Sequence, residues 1–262
     1  MQFILSVSTI PTRIDYLIKI LPLMDKIDYK YFVINICQKY KRFGDFKIPR
    51  SLIILCKNNS RIKFQFIDDN GPANKLIGGF SYLKKTSLIN DKLIIIDDDT
   101  LYSNELFSTL LENKKVNNIT TGSGFDFVND NYKIVVGKTE MVEGYAGICF
   151  DYNQDNDFIN WYVNFYKHFT FGKSNTLIQQ YLSASFLGDD FIISYMYENK
   201  IAIENGRNVI GVYDDGCNSD ALHKNNEFGS NMGSYKFLND NIKILETFKN
   251  KYNLFKELKS MK

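Results

Sequence analysis

Apolar positions in this chain fall into two patterns. The runs Phe3 to Ser8, Tyr31 to Ile36 and Leu93 to Ile96 are short, nearly continuous and rich in β-branched and aromatic residues, which predicts strands buried on both faces. Ile62 to Ile67 alternates apolar with polar and predicts a further strand. Between these runs the spacing lengthens to a helical period, at Leu17, Ile18, Ile20, Leu21 and Met24. It does so again from Ala73 to Leu83, after the turn Asp68-Asp69-Asn70-Gly71-Pro72. Ser103 and Glu105 ahead of Leu106, Phe107, Leu110 and Leu111 predict another helix start. Strands alternating with helices predict an α/β fold, with a mainly parallel central sheet flanked by helices on both faces.

Beyond Leu111 the pattern loosens. Short strands are expected at Asn118 to Gly122, Tyr132 to Val136, Ile148 to Phe150 and Val209 to Tyr213. Helices are expected over Asp157 to Phe169 and Phe191 to Glu198, the second opened by Gly188-Asp189-Asp190 with acids where the helix dipole favours them. From Ile242 to Lys262, Leu245, Phe248, Tyr252, Phe255 and Leu258 recur among lysines. That is the pattern of a terminal helix packed on the domain, or of one lying on a membrane surface. With no repeat or linker in view, residues 1–262 are expected to form a single domain.

A chain of 262 residues that is 44% hydrophobic and 15% aromatic can bury a full core. Its net charge of +2 gives no reason to expect a nucleic-acid partner. Cys37, Cys56, Cys149 and Cys217 contain no Cys-x-x-Cys pair, which argues against zinc and dithiol sites and fits reduced thiols in a cytoplasmic protein. Phe3-Ile4-Leu5 is too short to span a bilayer and has no basic leader before it, so a soluble protein is expected.

The candidate chemistry centres on Asp97-Asp98-Asp99, into which the run Leu93 to Ile96 empties. In open α/β sheets ligands bind at that edge. Three adjacent carboxylates repel one another by roughly a few kcal/mol at low dielectric unless a cation lies among them. In an extended chain Asp97 and Asp99 would face one ion while Asp98 turns aside, and hard oxygen ligands suit Mn²⁺ or Mg²⁺. The bland alternative is a helix cap. His168 lies in an aromatic helical run and reads as structural. His223, after a Gly- and Asp-rich loop, is either a surface residue or a third metal ligand, with Lys224 beside it for a phosphate. Asp189-Asp190 can hold a general base or simply cap a helix. Lys75, near a helix start that can itself bind an anion, is a phosphate partner or a solvated lysine.

Together these segments resemble the metal-dependent, nucleotide-sugar glycosyltransferases of the GT-A fold, in particular a compact branch found in large DNA viruses. The resemblance is carried in order by Val7-Ser8-Thr9-Ile10-Pro11-Thr12-Arg13, Gly71-Pro72-Ala73-Asn74-Lys75-Leu76, Ile94-Ile95-Ile96-Asp97-Asp98-Asp99, Glu143-Gly144-Tyr145-Ala146-Gly147 and Asp189-Asp190-Phe191-Ile192-Ile193-Ser194. With Asp220 to Lys224 it covers residues 3–225. It implies a GT-A (Rossmann-like) mixed, mainly parallel sheet, a nucleotide-binding half to about residue 115 and a sugar and acceptor half over about 116–225, to which the apolar spacing adds a C-terminal helix over about 240–262.

By the same resemblance Thr9, Pro11 and Arg13 border the base and ribose, with Asp69 and Lys75 on the far side. Asp97 and Asp98 lie near the donor. Asp97, Asp99 and His223 hold Mn²⁺ or Mg²⁺, and Lys224 meets the phosphates. Gly144, Tyr145 and Gly147 line the sugar and acceptor cleft, and Asp189 or Asp190 contacts the sugar or the acceptor hydroxyl. The implied donor carries uridine diphosphate and the acceptor is a glycan or glycoprotein. Phe125 to Val142 and the tail beyond Asn225 match nothing in the pattern, which leaves the acceptor open.

Three rivals are weaker. A haloacid dehalogenase-type phosphatase places its aspartates on the first strand and wants Thr or Val where this chain has Leu101. A sugar nucleotidyltransferase wants a glycine-rich loop where Thr9 to Arg13 has none. A non-catalytic binding module would not need two acidic clusters.

Overall fold

The computed structural model describes residues 2–128, 131–152, 163, 189–206 and 209–211. The first part of the chain forms β1 (Phe3–Ser8), α1 (Ile14–Ile20), β2 (Tyr31–Ile36), a hairpin of β3 (Lys39–Tyr40) and β4 (Gly44–Asp45), α2 (Arg50–Asn58) and β5 (Ile62–Phe66). It continues through α3 (Asn74–Lys85), β6 (Lys92–Ile96), β7 (Thr100–Leu101) and α4 (Asn104–Asn113). There follow β8 (Ile119–Thr121), β9 (Gly124–Val128), β10 (Asn131–Ile134), β11 (Gly137–Lys138), β12 (Met141–Val142), β13 (Ile148–Phe150), α5 (Asp189–Met196), β14 (Lys200–Ala202) and β15 (Ile210–Gly211).

Eight strands form one sheet in the order β11-β14-β8-β13-β6-β1-β2-β5. The strands β5, β2, β1 and β6 run parallel, as do β8 and β14. Between β6 and β8 runs β13, antiparallel to both, and β11 is antiparallel at the edge. The protein is thus a mixed α/β fold of Rossmann-like kind, with a large, mainly parallel central sheet and helices on both faces.

Alternation along the central strands separates two cores. Ile4, Val33, Leu93 and Ile95 join Leu76, Ile77, Phe80 and Leu83 of α3 on one face. Phe3, Leu5, Ile94 and Ile96 join Leu17 and Ile20 of α1 and Phe107 and Leu110 of α4 on the other. Successive side chains of a strand point to opposite faces, so an unbroken apolar run is what a sheet covered twice requires.

The strands expected at Phe3 to Ser8, Tyr31 to Ile36 and Ile148 to Phe150 form over those residues. The Ser103 hydroxyl accepts a hydrogen bond from the Leu106 N–H and caps α4 as expected. Helix α2 was not foreseen, because Ser51 to Cys56 carries a continuous apolar run that lacks a helical stripe. In the structure only Leu52 of that helix is buried, and Ile54 is 47% exposed. Of the helix expected over 157–169 only Val163 is described, and it is helical. His168, Cys217, Asp220, His223, Lys224 and the tail from Ile242 lie outside the described residues.

Candidate active site

Four segments meet where the parallel strands end. The strand β1 runs into the turn Thr9 to Arg13, β6 into Asp97 to Asp99, and β5 into the loop before α3. Because β13 runs opposite to β6, the residues that precede it, Glu143 to Gly147, arrive at the same end. Thr9, Arg13, Asp69, Lys75, Asp97 and Asp98 all line one open cleft. Pro11 stands in the adjoining turn.

The acidic triplet does not continue the pleat of β6. Asp97 follows the last strand residue, and Asp98 and Asp99 form a turn, so the side chains of the triplet do not alternate as those of a strand would. Asp98 and Asp99 converge on Arg13: the Asp98 Oδ1 lies 2.7 Å from the guanidinium, and Asp99 accepts a hydrogen bond from Arg13 Nη2. Asp97 turns instead to Lys75, whose Nζ donates to its Oδ1 at 2.7 Å. The physical reason is local: a turn breaks the two-residue alternation on which the expectation rested.

Lys75 joins the two acidic clusters. Its ammonium also lies 3.1 Å from Asp189 Oδ2, at the first residue of α5. Lys75 is 3% exposed. Burial alone would lower its pKa, but the charges of Asp189, Asp97 and Asp190 outweigh it and hold the ammonium well above the ordinary lysine value. The Ser6 hydroxyl donates to the Lys75 carbonyl at 2.6 Å and fastens this turn of α3 to β1. Lys75 is therefore neither solvated nor peripheral.

The carboxylates divide by environment. Burial raises Asp97, but Lys75 and Arg13 more than compensate and leave its pKa below the ordinary value. Burial pushes Asp98 up to about 7, against the pull of Arg13 and with help from the charge of Asp99. Burial and the charge of Asp189 push Asp190 up to about 8. Among the described residues Asp98 Oδ2 and Asp190 Oδ1 are buried without a well-formed hydrogen bond. Pairs of acids whose environments pull their pKa values apart are suited to acid–base work.

Gly144 makes this packing possible. A Cβ there would fall 2.5 Å from Asp190 Oδ1 and 3.0 Å from Lys75 Nζ. Gly147 closes the turn at φ +80° and donates its N–H to the Gly144 carbonyl at 2.9 Å. Tyr145 contributes its carbonyl, which accepts from Tyr102 OH at 2.8 Å, while the same hydroxyl accepts from Asp97 N–H at 2.9 Å. Tyr102 thus fixes the acidic turn to the Gly144–Gly147 segment. Sequence reasoning missed it, although a tyrosine placed just after the triplet was the available signal.

Carboxylate oxygens are the ligands a hard divalent cation takes, and on this turn they are held by Arg13 and Lys75. Among the described residues no group of three or more His, Cys, Asp or Glu is arranged as a metal site.

Fold and cleft together define a Rossmann-like α/β protein with an acidic, two-cation centre at the carboxyl ends of its parallel strands. No protein-family model matches the chain, and no curated protein matches it. Among solved structures 44 chains match. One, a crystal structure of 4-diphosphocytidyl-2C-methyl-D-erythritol synthase, superposes with a TM-score of 0.36 at 11% identity, over 47% of this chain and 58% of the synthase. Among the described residues no helix is long and apolar enough to cross a membrane.

Proposed function

We propose that this chain is a metal-dependent glycosyltransferase that moves a sugar from a nucleoside-diphosphate sugar, with uridine diphosphate as carrier, to a hydroxyl of a glycan or glycoprotein. The observation that carries this reading is the meeting of both acidic clusters on Lys75 beside the cleft. Transfer from a sugar phosphate has two electrostatic demands: negative charge grows on the departing diphosphate, and positive charge grows at the sugar carbon. A site for it needs cations at one end and carboxylates at the other.

Asp97 and Asp99, joined by His223, would hold Mn²⁺ or Mg²⁺, and that ion would supply charge neutralisation at the diphosphate. His223 and Lys224 lie outside the described residues, and their assignment rests on the sequence alone. Arg13 and Lys75 would meet phosphate oxygens when those displace their present carboxylate partners. Asp189 and Asp190 would face the sugar and the acceptor hydroxyl. With a pKa near 8, Asp190 is poised to exchange a proton close to neutral pH.

Calorimetric titration of uridine diphosphate, with and without Mn²⁺, tests this on wild type and Asp99→Asn. Binding should require the metal and weaken at least tenfold in the variant, while the melting temperature stays close to wild type. Equal metal-dependent binding by the variant would remove Asp99 from the metal site. No nucleotide binding by wild type would overturn the donor assignment.

A further inference from the structure

We propose that the β3–β4 hairpin is the nucleobase platform of the cleft, with Phe43 as its stacking face and Arg42 as the cation beside it. This rests on the donor-site reading above and adds the residues that hold the base. Tyr40, Arg42 and Phe43 line the cleft together with Thr9 and Asp69. The Arg42 guanidinium lies 4.3 Å from the Phe43 ring centroid, and Tyr40 meets the same ring edge-on at 6.2 Å. One cleft therefore has an aromatic end and, at Arg13, Lys75 and Asp97, an ionic end. A flat base joined to a diphosphate has the same polarity.

The hairpin is built to keep this wall in place. Tyr40 OH donates to the Thr9 carbonyl at 2.8 Å, and Lys41 N–H donates to Asp69 Oδ2 at 2.7 Å. Gly44 turns the chain at φ +74°, a conformation that strains other residues. Among the described residues Phe43 packs on Tyr40 and Arg42 and belongs to neither apolar core, whereas Phe46, just past the hairpin, packs against one of them. A half-buried phenylalanine stacked with arginine at the rim of a polar cleft offers the sequence-tolerant surface on which bases stack.

Binding of uridine diphosphate, guanosine diphosphate and inorganic pyrophosphate, each with Mg²⁺, to wild type, Phe43→Ala and Phe43→Trp tests the platform. Phe43→Ala should weaken both nucleotides about tenfold or more and leave pyrophosphate unchanged, while Phe43→Trp retains nucleotide binding and reports it by quenching of the new indole. Unchanged nucleotide affinity in Phe43→Ala, or an equal loss for pyrophosphate, would overturn the platform and leave the donor-site reading standing. If Phe43→Ala does not fold, nucleotide binding by Phe43→Trp without indole quenching overturns it instead. Wild type that binds none of the three would overturn both.

Discussion

A lysine ammonium cut off from water persists only where carboxylates replace its hydration, and Lys75 has Asp97 at 2.7 Å and Asp189 at 3.1 Å. Asp190 sits one residue further, pressed against Gly144. Burial is the first cause of its raised pKa. Unfolded, this carboxyl titrates near 3.8; folded, it titrates at about 8. Across that interval the folded protein holds a proton that the unfolded chain has lost. The stabilising contribution is therefore complete below about 3.8 and disappears as pH rises through about 8. Asn at this position imitates the protonated acid. Thermal denaturation of wild type and Asp190→Asn over this interval should show the variant gaining roughly 2–4 °C or more on wild type toward the upper end. A difference independent of pH would mean that Asp190 is ionised in the folded protein.

Among the elements, α3 carries the most. It places Lys75 in the site and Leu76, Ile77, Phe80 and Leu83 in the core, and it lies close to the sheet through two glycines. A Cβ on Gly78 would overlap the Asn35 side-chain oxygen, and one on Gly79 would fall 2.7 Å from the Leu93 methyls. Asn35 has little freedom to yield, since its Nδ2 donates to Ser6 Oγ at 2.8 Å and to the Val7 carbonyl at 2.9 Å. Alanine in a helix gains about 1 kcal/mol over glycine, but overpacking costs about 1–3 kcal/mol and here also disturbs a buried polar network. Gly78→Ala should therefore lower the free energy of unfolding by about 1–3 kcal/mol in urea, whereas the exposed Ser81→Ala on the same helix should change it little. Equal effects at the two positions would refute the close-packing account. The helix itself was legible from its apolar spacing. Its approach distance was not, because the neighbour it meets at Gly78 comes from a strand far away in sequence.

At the scale of the whole molecule, the sheet unites strands from both parts of the chain, and β13 is the joint. Its Cys149 pairs with Ile94 on one side and Thr120 on the other, and it is fully buried. Burial pushes its thiol up to about 12, whereas Cys56 on the outer helix α2 is half-buried and raised to about 11. Thiolate is the reactive species, so alkylation mapped by mass spectrometry should label Cys56 well before Cys149, which should react only at the rate of global unfolding. Labelling of Cys149 under native conditions as fast as Cys56 would show that the joint between the two parts opens locally.

Periodicity alone determined the central strands, the helices α1, α3 and α4 and a mainly parallel sheet, because burial on both faces leaves a local trace in each segment. The same holds for the end of the sheet at which Asp97, Asp98 and Asp99 emerge. Only the tertiary structure decided which cation each acid meets: Arg13 for Asp98 and Asp99, Lys75 for Asp97 and Asp189. Those pairings depend on a turn that breaks strand alternation and on the antiparallel arrival of β13, neither of which leaves a period in the sequence. The hairpin that bears Phe43 was hidden for a related reason: strands of two residues are too short to carry a pattern, and only their place at the rim of the cleft gives them meaning.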